Sequence, residues 1–183
     1  MSLPSRYLDA LGPLVEAVTT YRDATGHNAI LVGGAAVALH TGGAVMSLDF
    51  DIFAGNDDAF ELALKAAGFV EDRKAVHGRG WYHPKHPQFA IEQVSGRYFD
   101  GRGDRARCVA MTLRDGAEII LPAIEDIIAD RLGQHAVSSG DDAMLHQAKV
   151  LYALAEDLDR DYLEIRIREE GGDSALLGLF DGE

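Results

Sequence analysis

One cysteine, Cys108, and one tryptophan, Trp81, are all that the 183 residues hold of either type. A lone thiol excludes an internal disulfide, so the reducing cytoplasm is the expected compartment. Basic residues are also scarce: 17 Lys and Arg face 30 Asp and Glu, a formal charge of −13. That balance disfavours extended, sequence-independent contact with DNA or RNA. It leaves room for a nucleotide delivered as its magnesium complex. No apolar run approaches the ~20 residues that span a bilayer, and the opening Met-Ser-Leu-Pro-Ser-Arg has no signal-peptide core. No membrane is expected. Repeats and low-complexity tracts are missing too. What remains, 47% hydrophobic and 26% charged, is the ordinary mixture of a globular domain able to bury a substantial core.

The chain is organised around the stretch from Ile30 to Phe53. An apolar run, Ala29 to Val32, is short enough to be one buried strand. Gly33 and Gly34 follow, then an Ala-rich turn or two of helix to His40, stopped by Gly42-Gly43. The stretch closes on Leu48-Asp49-Phe50-Asp51-Ile52-Phe53. Strand alternation places Leu48, Phe50 and Ile52 on one face and both carboxylates on the other. Two acids held side by side raise each other's pKa and destabilise a fold unless a cation lies between them.

Around this centre the pattern predicts a helix, a mixed sheet with intervening helices, and a helical C-terminal region: an α+β fold. Leu8, Leu11, Leu14, Val15, Val18 and Tyr21 recur at helical spacing, with a division expected at Gly12-Pro13. Asn56 reads as a helix N-cap, Phe60, Ala63, Leu64 and Ala67 as the buried stripe, and Gly68 as the C′ residue. Val76 to Pro87, punctuated by Gly and Pro, reads as irregular, and Gln88 to Ser95 as a strand. Arg97 to Arg107 reads as a mobile, solvated surface loop. Asp115-Gly116 between β-prone runs signals a hairpin. Beyond Pro122, Ile124, Ile127, Ile128 and Leu132 form one helix face, and Met144, Ala148, Leu151, Tyr152 and Ala155 a second. Tyr162, Ile165 and Glu169 lie along a third. The expected division is a core over 1–121 and a helical region over 122–183 packed on it.

Asp49 and Asp51 lie roughly 7 Å apart along the strand by its rise per residue, and their side chains can converge on one hard divalent cation. Glu92, in Phe89-Ala90-Ile91-Glu92-Gln93-Val94, is the candidate third acid on a neighbouring strand. Such oxygen donors suit Mg²⁺ or Mn²⁺ rather than zinc, and paired ions of this kind clamp the oxygens of a phosphoryl transfer. Glycines at a strand-to-helix junction let a phosphate reach the backbone and the helix N-terminus. Ser47 stands two residues before the acidic pair, placed to donate to a phosphate or to fix the start of the strand.

Gly33-Gly34, a short helix, Ser47-x-Asp49-x-Asp51 and a later single acid resemble the nucleotidyltransferase superfamily that includes DNA polymerase beta. The run Gly33-Gly34-x-Ala36-x-x-Leu39-His40, with Leu121 to Leu132 later, most resembles the bacterial abortive-infection-type nucleotidyltransferases. The matching parts run from Ala29 to Tyr152. The resemblance implies a nucleotidyltransferase-like mixed sheet flanked by helices. It implies that Gly33, Gly34 and Ser47 bind the phosphates of a nucleoside triphosphate. It implies too that Asp49, Asp51 and Glu92 hold Mg²⁺ or Mn²⁺. Arg131 sits where the family often has a lysine reaching toward the phosphates. The sequence departs from the family where many relatives have an arginine before the Ser, here Val45 or Met46, and in using Glu as the third acid.

Three functions fit this pattern. The first is transfer of a nucleoside monophosphate to a hydroxyl of a small molecule, RNA or protein. The second is a toxin–antitoxin or phage-defence role using the same chemistry under a protein partner's control. The third is an interaction protein that keeps the fold without catalysis. Elsewhere the sequence suggests structural roles. His40 ends an apolar helix and reads as a satisfied histidine, and Trp81 as core cover. His77, His83 and His86 have no firm zinc-ligand spacing.

Overall fold

The computed structural model describes residues 3–72, 80–94, 96–113, 116–138 and 142–178. Helix α1 spans Ser5–Thr25 in one piece, with Pro13 inside it. The break expected at Gly12-Pro13 does not occur. Tyr7, Leu11, Leu14, Val18 and Tyr21 form one buried face that crosses Pro13. Burying that face outweighs the backbone bond that proline removes, since packing rather than propensity supplies most helical stability.

Strand β1 (Ile30–Val32) is buried along its length and runs straight into α2 (Gly33–His40). Gly33, at φ +64°, makes the turn, a conformation that any Cβ disfavours. Gly42 and Gly43, both at positive φ, end the helix. Strand β2 (Asp49–Phe53) returns antiparallel to β1. Phe50 and Ile52 are buried as alternation requires, but Leu48 is 54% exposed. The strand begins one residue after Leu48, which therefore escapes the alternation and sits in the loop.

Helix α3 (Asp57–Ala66) is capped by Asn56, whose side chain accepts from the Ala59 N–H at 3.1 Å. Gly68 follows at φ +86°. Strands β3 (Val70–Asp72), β4 (Gly80–His83) and β5 (His86–Val94) form an antiparallel ladder. The stretch expected to be irregular thus contains a hairpin turning at Pro84-Lys85, and β5 starts at His86 rather than Gln88. The ladder tolerates Pro87 because the β4–β5 register shifts between Tyr82 and His83, while pairing of β2 with β5 begins only at Ala90. Proline is admitted at such bulges because no ladder bond needs its missing N–H. The rest of the 73–79 segment, His77 included, lies outside the described residues.

Strands β6 (Val109–Thr112) and β7 (Glu118–Leu121) form the expected hairpin, Thr112 opposite Glu118. Its turn residues 114 and 115 lie outside the described residues. The seven strands order as β3-β4-β5-β2-β1-β7-β6, with β1–β7 and β2–β5 parallel and the other pairs antiparallel. One apolar cluster joins α1, α3, the Phe50–Ile52–Ile91 face of the sheet and the later helices. A smaller one gathers Ile30, Val32, Phe53 and Tyr98.

Helices α4 (Ile124–Val137), α5 (Ala143–Leu154) and α6 (Arg160–Glu170) follow the sheet. In α6 the buried face is Leu163, Arg166 and Ile167, not the expected Tyr162–Ile165–Glu169 line, and Ile165 is 48% exposed. A charge, invisible to a hydrophobic count, decides this. Arg166 lies buried with its Nε donating to Asp126 of α4 at 2.6 Å, while its other nitrogens pair with Glu169 and Glu170 at 2.7 Å.

The segment from Arg97 to Arg107 is likewise tied down rather than solvated throughout. A tight turn with left-handed central residues covers Tyr98–Gly101, and a 3-10 turn covers Arg105–Arg107. Arg102 pairs with Asp100 and Glu170, and Arg107 with Asp159. Among the described residues no helix is long and apolar enough to cross a membrane.

Candidate active site

Two ladders meet at Asp51. It pairs with Val32 across β1–β2 and with Glu92 across β2–β5. Residues opposite one another point to the same face of a sheet. Asp51 and Glu92 therefore stand side by side, with Asp49, two residues back on the same face, opposite Ala90. This face is the one away from Phe50, Ile52 and Ile91. Burial lifts the Asp51 carboxyl to a pKa of about 6, the Glu92 and Asp49 charges push the same way, and Arg131 opposes them.

The glycine pair faces this strand directly. A Cβ on Gly33 would lie 2.8 Å from Asp51 Cγ, and one on Gly34 would lie 2.9 Å from Ser47 Cβ and Oγ. Glycine here makes room for the Asp51 and Ser47 side chains as well as for the turn. Ser47 Oγ in turn bonds the backbone of Asp49, accepting from its N–H and donating to its carbonyl, each at 3.3 Å. Val32 at the N-cap of α2 has no side-chain acceptor to offer the first-turn N–H groups. Such a helix end is suited to an anion.

Gly33, Gly34, Ser47 and Asp51 open into a cleft of about 510 Å³. Its far wall is helical: Arg131 and Gln134 from α4, Met144 and Gln147 from α5. Arg131 is 5% exposed. It donates through Nη1 to Gln134 and Met144 and lies 3.6 Å from Asp130, while its Nε–H has no acceptor. Gln147 Oε1 is also buried without a donor. The third wall is the turn Tyr98-Phe99-Asp100. Phe99 (φ 43°) and Asp100 (φ 54°) are both left-handed, a strain of roughly 1–2 kcal/mol per residue for side chains with a Cβ.

Of the residues singled out from the sequence, Gly33, Gly34, Ser47, Asp51 and Arg131 line this cleft. Glu92 lines a neighbouring hollow of about 350 Å³ with Asp72, Gly80 and Tyr82, so it stands at the cleft's edge beside Asp51. Phe99, Gln134, Met144 and Gln147 were not foreseen. Met144 and Gln147 share one helix face at i, i+3, and Arg131 and Gln134 another; that polar-apolar mixture was the available signal. His40 Nε2 lies 3.0 Å from the Pro122 carbonyl, a structural contact. Trp81 is 2% exposed and buried in the core. His83 and His86 face each other across the hairpin turn, ring centroids 5.7 Å apart.

The carboxylates fit a hard divalent cation in donor chemistry. The Asp51 pKa is raised by burial first and then by the Glu92 and Asp49 charges, and a bound cation would offset both. Among the described residues no group of three acids, histidines or cysteines is drawn together around one point. Magnesium is ordinarily held by one or two carboxylates, with water and substrate phosphates completing its shell, a demand that two acids on one strand face match in kind.

No protein-family model matches the chain, and no curated protein is similar to it in sequence. Solved structures with the same fold include ANT(2'')-Ia in complex with adenylyl-2''-tobramycin, at 12% identity and TM-score 0.59, covering 86% of this chain and 95% of that one. An antigenic nucleotidyltransferase-like protein from Paracoccidioides brasiliensis matches at 17% identity and TM-score 0.57, over 88% and 87%. JHP933 from Helicobacter pylori matches at 15% and 0.51, over 97% and 79%. The chain has the α+β nucleotidyltransferase-like fold.

Proposed function

We propose that the chain is a nucleotidyltransferase that moves a nucleoside monophosphate from a nucleoside triphosphate to an acceptor hydroxyl. One observation carries the reading. The strand register sets Asp51 beside Glu92 at the edge of a cleft whose other walls bring an uncapped helix N-terminus and a buried arginine. The acidic strand, the glycine turn and Arg131 thus meet in one place, although they are far apart in sequence.

In this reading the α2 N–H groups behind Gly33 and Gly34, with Ser47 and Arg131, hold the triphosphate. Asp49 and Asp51 would hold Mg²⁺ or Mn²⁺, which when bound neutralises phosphate charge and polarises the α-phosphoryl group. Glu92, adjacent to Asp51 and open to the neighbouring hollow, accepts the proton of the acceptor hydroxyl. The acceptor oxygen bonds to the α-phosphorus as the bond to the β-phosphate oxygen breaks, and pyrophosphate leaves. ANT(2'')-Ia is solved with an adenylylated small molecule, which supports a small-molecule acceptor here over RNA or protein.

Isothermal titration of magnesium nucleotides against wild type and an Asp49→Asn/Asp51→Asn variant tests the proposal. Binding by the wild type and its loss in the variant are expected; equal heats from both proteins would remove the catalytic claim. A second reading, an interaction protein without catalysis, draws on the lack of a closed three-donor cluster among the described residues. It requires that neither protein takes up nucleotide or metal.

A further inference from the structure

We propose that the same cleft contains a nucleobase recess in which Phe99 supplies the stacking face and the Gln147 amide reads the edge of the base. This rests on the nucleotide reading above and adds to it which part of the nucleotide the unforeseen wall residues serve. The lining of the cleft divides by chemistry. Gly33, Gly34, Ser47 and Arg131 suit phosphate, whereas Phe53, Phe99 and Met144 give it nothing and suit a flat apolar ring.

Phe99 is a half-buried aromatic in the cleft wall. Its ring is braced edge-on by Tyr98, centroids 4.7 Å apart at 64°, and Tyr98 is itself buried and joined to Cys108 at 3.3 Å. The contact with the buried Tyr98 ring braces one side of the Phe99 ring and makes it a platform in the wall. Stacking on such a platform accepts any base.

Discrimination falls to Gln147. Its Oε1 is buried in the cleft wall and receives no hydrogen bond within the protein. A triphosphate at neutral pH offers essentially only acceptors and cannot satisfy it. A nucleobase carries N–H donors, and an exocyclic amine is the donor most accessible at its edge. Adenine N6 or cytosine N4 satisfies Gln147, whereas the corresponding carbonyl of guanine or uracil sets one acceptor against another.

The test is isothermal titration of the magnesium complexes of ATP, GTP, CTP, UTP and inorganic tripolyphosphate against wild type, Phe99→Leu, Phe99→Tyr and Gln147→Leu. Wild type is expected to bind ATP and CTP about tenfold more tightly than GTP and UTP. Gln147→Leu should level that ranking. Phe99→Leu should weaken every nucleotide about tenfold or more, and Phe99→Tyr should restore them, with tripolyphosphate unchanged throughout. Unchanged nucleotide affinities in both variants would overturn the inference while leaving the phosphate site standing. So would an equal loss of tripolyphosphate, which marks a merely structural effect, or a Gln147→Leu loss shared evenly by the four bases. If wild type binds neither nucleotide nor tripolyphosphate, the nucleotidyltransferase reading fails and the recess falls with it.

Discussion

Gly33 and Asp51 cannot be varied independently, because a Cβ at residue 33 would lie 2.8 Å from Asp51 Cγ. Backbone adds to the conflict, since Gly33 holds φ +64°. Gly33→Ala is expected to destabilise the fold by about 1–3 kcal/mol in urea titration, and to abolish nucleotide binding by displacing the carboxylate. Adding Asp51→Gly should recover the part due to overlap and leave roughly 1 kcal/mol of backbone strain. Additive losses in the double variant would show that the two residues do not press on one another.

Asp51 also predicts a pH dependence. Its pKa rises from 3.8 to about 6 in the folded protein, first through burial and then through Glu92 and Asp49. Between those values the folded chain holds a proton that the unfolded chain has released. The group's contribution is therefore complete below its unfolded pKa and is lost as pH rises through about 6, a change of up to about 3 kcal/mol. Asp51→Asn should be more stable than wild type near pH 7.5 and should lose that advantage near pH 4. Millimolar Mg²⁺ should raise the wild-type melting temperature near pH 7.5 and leave Asp51→Asn unmoved. Identical pH profiles for the two proteins would contradict this account of Asp51.

Arg131 separates binding from stability. Its guanidinium is 5% exposed with Nε–H unpartnered, so removing it relieves a desolvated charge as well as deleting contacts. Arg131→Met is expected to change unfolding free energy by no more than about 1 kcal/mol. Its affinity for magnesium nucleotides should fall about tenfold or more. A collapse in stability without any binding defect would assign Arg131 to the fold alone.

Much of the centre was legible because local rules act there without competition. The apolar run, the glycine pair and the alternation in Asp49-Phe50-Asp51-Ile52 together specify β1, α2 and β2, and the same alternation places Glu92 on its face of β5. Asn56 and Gly68 mark both ends of α3 through chemistry that depends on neighbouring residues only. What failed depended on distant partners. Pro13 reads as a break until the buried stripe that crosses it is known. The loop around Arg102 reads as solvated until Glu170 approaches from 68 positions further along the chain. Phe99 carries no local signal, and Gln147 only a polar place beside Met144 on its helix face, since their shared cleft exists only after α5 has packed.

The Arg166–Asp126 pair gives the largest expected stability effect. Both side chains are essentially out of water, and Tyr162 donates a further hydrogen bond to Asp126 at 2.9 Å. Arg166→Met leaves that carboxylate buried without its cation and is expected to cost about 3–5 kcal/mol by chemical denaturation. Arg166→Met with Asp126→Leu should recover most of the loss, because an apolar pair needs no compensation. If the double variant is as unstable as the single one, packing rather than charge sets the value of this site.

Pro87 bears on how molecules of this protein meet one another. Strand β5 extends beyond β2, whose pairing starts only at Ala90; no described strand pairs with that overhang on the β2 side, and an extended segment with an unpaired flank is a template for a strand from a second molecule. The proline has no amide hydrogen to give on either flank, and the β4–β5 register shifts beside it, both features that blunt an edge. Replacing it with valine would restore a donor to a β-prone overhang, trading a solubility safeguard for a longer, stickier edge.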